Sequence, residues 1–175
     1  WPTDITLFIY YEGEKPSDAN DGACWLPLDA DKDRSLFMSR HKDTNPGDYR
    51  KCPVRFSHKV FAVSGAPRNT NHLIFLDADC NTFANVTHDM IRRCCADEGQ
   101  AGSYLGRPWS RHSETGFTSY RLNSGGSDFL DEMRRFYMSW ELFNLSELHD
   151  SMAFDFVRRK FERAGYRFKN ICKNA

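Results

Sequence analysis

The chain has 175 residues, and its 24 Lys and Arg balance 24 Asp and Glu, so the formal net charge at pH 7 is zero. Apolar residues make up 40% and aromatics 14%, which suits one folded domain (residues 1–175) with a sizeable core and excludes a disordered chain. A zero balance also excludes attachment to nucleic acid or anionic membrane by bulk charge, while leaving room for a local basic groove.

No apolar run approaches the ~18 residues of a membrane span, and no signal-peptide pattern opens the chain. Trp1 stands where a Met would begin a translated chain, which points to trimming and leaves an upstream anchor open. The six cysteines (Cys24, Cys52, Cys80, Cys94, Cys95 and Cys172) are scattered, without a CxxC or a Cys/His zinc spacing. Reduced thiols and a cytoplasmic location are therefore expected. The sequons at Asn85 and Asn144 would matter only in a secretory setting.

In chain order, residues 4–11 (DITLFIYY) form a β-branched and aromatic run suited to a strand buried on both faces of a parallel sheet. Residues 12–53, rich in Asp, Gly, Pro and Lys with one apolar island at 35–38, read as long loops. Residues 55–63 (RFSHKVFAV) place Phe56, Val60 and Val63 on one helical face, and Pro67 and Asn69 end that helix. Residues 72–76 (HLIFL) read as a central strand that stops at Asp77-Ala78-Asp79. A helix follows, capped by Asn85 or Thr87, with Met90, Ile91 and Cys94 as its buried stripe.

Residues 97–115 read as a Gly-, Ser- and Arg-rich loop, and residues 116–122 (GFTSYRL) as a strand. The clearest amphipathic helix spans 128–143, with Phe129, Leu130, Met133, Phe136, Tyr137 and Trp140 on one face. A second helix runs over 151–164 with Met152, Phe156, Val157 and Phe161 inward, and Gly165 stops it. Residues 166–171 suit a last strand. Strands alternating with helices predict an α/β domain whose central sheet is mostly parallel and flanked by helices.

The sharpest chemical feature is LIFLDADCN, residues 73–81. Carboxylates at i and i+2 off a strand end point the same way. They repel unless a cation compensates, and a hard divalent metal with phosphate oxygens does so. The structural alternative is that Asp77 and Asp79 simply face solvent or cap the next turn.

With its flanking helices, this segment resembles the metal-dependent glycosyltransferases of the GT-A fold, a Rossmann-related architecture. The resemblance implies manganese (or magnesium) and a nucleotide-sugar donor of UDP or GDP type. Asp79 then ligates the metal, while Asp77 reaches the metal or the ribose. Arg55 and Lys59 resemble donor-side basic residues, with a solvated helix face as the alternative. SETGFTSYRLN, residues 113–123, is similar to the strand beside the donor sugar. LHDSMAFDFVRR, residues 148–159, looks like the acidic helix start facing the acceptor. By that resemblance Asp150 is a candidate base and His149 a third metal ligand. No HxGxxKPW-like closing motif and no QxxRW motif occurs.

An inverting transfer needs one carboxylate to deprotonate the acceptor hydroxyl, with Asp150 the first candidate and Glu114 the second. Their structural alternatives are a helix cap and a loop-surface carboxylate. Trp109 is a candidate to stack on a sugar, with a local core plug as the alternative, and Arg111 or Arg107 are candidates to reach phosphate. Tyr10 and Tyr11 are candidates to sandwich the nucleotide base, with core burial as the alternative. His41, His58, His72 and His88 show no ligand spacing. The expected partners are the donor and a glycan, protein or other hydroxyl acceptor; a modified-DNA acceptor is left open. Rival readings are a haloacid-dehalogenase-like phosphatase using the same DxD, and a nucleotide-sugar-binding module without catalysis. The loops at 12–53 and 97–115, or sequence outside this chain, are expected to recognise the acceptor.

Overall fold

The structure, a computed structural model, describes residues 2–19, 21–42 and 47–173. It is an α/β fold with two separate sheets. Strand β1 (Phe8–Tyr11) pairs in parallel with β2 (Cys24–Pro27) to form a small two-stranded sheet. The apolar run at 4–11 thus yields a shorter strand than expected, half-buried rather than enclosed on both faces.

The region read as loop contains β2 and also α1 (Lys32–His41). Periodicity misses α1 because polar anchors hold it rather than an apolar stripe. Asp31 caps it by accepting the Arg34 N–H at 3.0 Å, Phe37 alone is a fully buried large apolar residue, and Leu36 is exposed. Arg134 clamps its start through Asp31 at 2.6 Å and Asp33 at 2.8 Å. The buried Arg34 pairs with Glu12 and Asp29.

Helix α2 (Pro53–Ser64) starts on a proline, whose missing N–H costs nothing at that position. It leads to β3 (His72–Leu76), α3 (His88–Cys94), β4 (Gly102–Leu105), β5 (Glu114–Arg121), α4 (Gly126–Met138), α5 (Asp150–Arg163) and β6 (Phe168–Asn170). The larger sheet has the order β3-β5-β4-β6.

That order corrects the expectation of a mostly parallel sheet. β5 runs antiparallel to both β3 and β4, and only β4 and β6 are parallel. The cause is a strand hidden in the stretch read as loop. Only residues 106–113 separate β4 from β5, too few for a crossover, so the two must pair antiparallel. Nor is β3 central: it lies at the sheet's edge, half-buried and open on one side.

The core lies where α2, α4 and α5 cover the sheet. Phe129 of α4 is its centre, with ring centroids 5.8 Å from Tyr120, 5.3 Å from Phe154, 5.4 Å from Phe161 and 5.1 Å from Phe168. Tyr120 on β5 turns inward, while its neighbour Ser119 faces the other way. There Ser119 accepts the Ala96 N–H at 2.9 Å and meets Ser103, whose hydroxyl donates to the Cys94 carbonyl at 2.6 Å. The end of α3 is thus fastened by small polar groups. Thr87 caps α3 as expected, but Met90 is exposed and no residue of the helix is buried.

Helix α4 ends at Met138, and a 3-10 turn at Trp140–Asn144 follows, so Trp140 leaves the helix face and is exposed. In α5 the inward residues are Ala153, Phe154 and Val157, whereas Phe156 turns out. Gly125, at φ 95°, enters α4 where a Cβ would collide with the Tyr166 ring. Phe129→Ala should lower unfolding free energy by about 3–5 kcal/mol, measured by urea denaturation, because so enclosed a site cannot collapse.

Glu132 joins α4 to α5, accepting from Arg135 at 2.6 Å and Lys160 at 2.7 Å. Arg135 and then Lys160 hold its carboxyl down to about 2. A depressed carboxylate contributes stability above its unfolded pKa and loses it as pH falls through the folded one. Glu132→Gln should therefore be less stable than the parent at pH 6, with the gap closing between roughly pH 4.5 and 2.

Candidate functional site

The end of edge strand β3 meets the start of α5 across the middle of α2. Asp77 follows β3 directly, Asp150 is the first residue of α5, and Lys59 lies on α2 between them. The Lys59 ammonium reaches Asp77 at 2.9 Å and Asp150 at 2.7 Å. It also lies 3.3 Å from the Thr115 carbonyl and 3.4 Å from the Thr115 hydroxyl. That hydroxyl, on β5, donates to Asp150 at 2.6 Å and lies 3.0 Å from the Ser151 hydroxyl. Asp150 is only 6% exposed.

Local sequence explains each position. Successive residues alternate across a strand, so Thr115 turns into the site while Glu114 faces the opening. His149 precedes α5 as its N-cap, its Nδ1 accepting the Met152 N–H at 3.2 Å. The cap reading weighed for Asp150 therefore belongs to His149. Asp150 stands in the first helical turn, where the helix dipole favours a negative charge.

Burial opposes the charged form of Lys59, but Asp150 and Asp77 together outweigh it and raise its pKa above the ordinary lysine value. Its contribution to stability thus holds through neutral pH and is lost only as pH climbs above the ordinary lysine range. Asp77 behaves differently. Burial raises its carboxyl, Lys59 pulls it down, and repulsion from Asp150 and Asp79 adds to the rise. The ammonium gains from two carboxylates, whereas Asp77 faces two like charges for one cation.

These groups line a cleft of 390 Å³ together with Arg55, Phe56, His58, Glu114 and Ser151. The structure therefore gathers Arg55, Lys59, Asp77, Glu114 and Asp150, five residues singled out in the sequence. Arg55 is exposed, and Glu114 pairs with Arg107 at 2.9 Å while accepting the Gly116 N–H at 3.0 Å.

Other candidates lie elsewhere. Tyr10 is half-buried against the core and Tyr11 closes β1. Just past that strand, Glu12 lies 3.4 Å from His58, which lines the cleft. Trp109 is 81% exposed on the 106–113 loop. Arg111 pairs with Glu147 at 3.2 Å and lines a second cavity of 760 Å³ with His112, Met152 and Arg159. Among the described residues, His149 groups with His112 and Glu147, not with Asp77 and Asp79.

A metal at the DxD would therefore lack His149 as a third protein ligand. Asp77 already offers both oxygens to Lys59, at 2.9 and 3.0 Å, whereas Asp79 is exposed and makes no ion pair among the described residues. Of the two DxD carboxylates, Asp79 is therefore the one not already held by a cation, and a hard divalent ion there would take most of its oxygen ligands from water and phosphate.

Sequence reasoning missed Thr115, Ser151 and His58. His58 lies beside Lys59, and a helix-face argument carried one residue further would have found it. Thr115 carried no signal, because its role depends on pairing between elements. None of the six cysteines forms a disulfide, and no helix among the described residues is long and apolar enough to cross a membrane. Compared with models of protein families, with curated proteins and with solved structures, the chain matches none.

Lys59→Met leaves Asp150 buried without its cation. The expected loss is about 3 kcal/mol of unfolding free energy, near the low end for a broken buried pair because water reaches Asp77. Adding Asp150→Asn should recover part of that loss in a double-mutant cycle. Strictly additive losses would show that the pair is uncoupled.

Proposed function

We propose that this chain is a GT-A-like glycosyltransferase. It moves a sugar from a UDP- or GDP-type donor to an acceptor hydroxyl on a glycan, protein or other molecule. The observation that carries the reading is the convergence of Asp77, Glu114 and Asp150 with Arg55 and Lys59 on one cleft at the end of β3. The strand–DxD–helix order of residues 72–94 supports the resemblance, from which the mostly antiparallel sheet departs.

In this reading Asp150 is the base of an inverting transfer. Its two side-chain hydrogen bonds, from Lys59 and Thr115, both end on Oδ2. Oδ1 is then the oxygen that meets the acceptor hydroxyl, taking its proton as the hydroxyl oxygen bonds to the anomeric carbon. The bond from that carbon to the diphosphate breaks at the same time, and the nucleoside diphosphate departs. Lys59 holds Asp150 in place at 2.7 Å, and Arg55 at the rim meets the diphosphate charge. Asp79 would hold a manganese or magnesium ion, whose chemistry there would be to neutralise charge on the leaving diphosphate. Glu114, paired with Arg107, positions the acceptor side of the cleft.

The test is release of nucleoside diphosphate from UDP- and GDP-sugars with manganese present. Asp150→Asn should lower transfer by about 10²–10⁴-fold. Near-normal transfer by that variant would remove Asp150 as base, and full activity in excess chelator would remove the metal. The bond between Lys59 and Asp77 also suits an aspartate nucleophile. Hydrolysis of a generic phosphate ester without sugar transfer would thus favour the phosphatase reading. Nucleotide binding without any turnover would favour a binding module.

A further inference from the structure

We propose that His112, Glu147 and His149 form a binding site for a transition-metal ion of the zinc class, tying the 106–113 loop to the start of α5. The ligand atoms of the three residues lie within 4.8 Å of one another, and all three side chains are largely shielded from solvent. The site is separate from the DxD cleft and independent of the transferase reading.

The geometry converges on one oxygen. Glu147 Oε2 lies 2.8 Å from His149 Nε2 and 3.3 Å from His112 Nε2. Tetrahedral zinc with bonds of about 2.0–2.1 Å holds its ligand atoms about 3.3–3.4 Å apart. One separation already matches, and the other opens by about half an ångström. The two imidazoles meet edge-on, with centroids 4.9 Å apart and planes at 74°.

A second observation points the same way. His112 Nε2 is buried and makes no hydrogen bond. Two imidazoles and one carboxylate suit zinc better than the hard ions expected at Asp79.

The proton balance is simple. His149 now accepts from the Met152 N–H at Nδ1 and directs Nε2–H at Glu147. To bind the ion through Nε2, the ring moves its proton to Nδ1 and gives up its cap on α5. Arg111, mostly exposed, holds the other Glu147 oxygen and is free to swing away. Metal binding is thereby coupled to the first turn of α5, which carries Asp150.

The experiment titrates the chelator-stripped full chain with zinc alone, by calorimetry and thermal melting. One ion should bind per chain, the melting temperature should rise with zinc, and cobalt(II) should give the visible bands of a four-coordinate ion. His112→Asn removes a side chain whose Nε2 makes no hydrogen bond, so the fold should persist by circular dichroism. Its zinc affinity should fall at least about tenfold. Glu147→Gln should weaken zinc likewise, and Asp77→Asn/Asp79→Asn should leave it unchanged. Absence of zinc binding, affinity indifferent to His112→Asn and Glu147→Gln, or loss on changing Asp77 and Asp79 would each overturn the proposal. The titration reads no sugar transfer, so its failure is distinct from a failure of the transferase reading.

Discussion

Two carboxylates far apart in the sequence, Asp77 after β3 and Asp150 at the head of α5, share one half-buried cleft because the Lys59 ammonium lies between them. Neither charge is tolerable there alone, since desolvation and mutual repulsion act in the same direction. Lys59 lies mid-way along α2, the helix whose buried Val60, Phe61 and Val63 anchor it in the core. The ion triad is therefore placed by hydrophobic packing, and in turn it fixes how β3 and α5 approach each other.

Much of the remaining polar structure repeats this device. Asp155 on α5 accepts the Ser113 N–H and hydroxyl at 3.0 and 2.7 Å and also binds Arg158, holding the start of β5 to that helix. Arg134 does the same between α4 and α1. A neutral chain is thus a sum of local opposites, most of them spent on joining elements. Arg55 in the cleft lining and Asp79, two residues beyond Asp77, stand out as charges left without an ion pair among the described residues.

The aromatic and β-branched runs were legible. β3 falls on the expected residues, Thr87 caps α3, and Phe129, Leu130, Met133, Phe136 and Tyr137 turn inward. α1 was not legible, because Asp and Arg contacts to α4 and α2 hold it. Nor was β4, whose Gly102 and Ser103 are buried by pairing on both sides rather than by their own apolarity. Missing β4 reversed the direction assigned to the sheet. At the site, the DxD and the acid at the head of α5 were visible as types in position. The role of Thr115 and the turning of His149 toward Glu147 arise only from three-dimensional pairing.

If the cleft is built for a nucleoside diphosphate, the uncommitted Asp79 and the committed Asp77 must act differently. The most direct measurement is calorimetric titration with UDP and GDP, with and without manganese, comparing the parent chain with Asp79→Asn. The account predicts binding of one of the two nucleotides that manganese tightens, and loss of that tightening in the variant. Nucleotide affinity indifferent to manganese, or manganese dependence surviving Asp79→Asn, would contradict it.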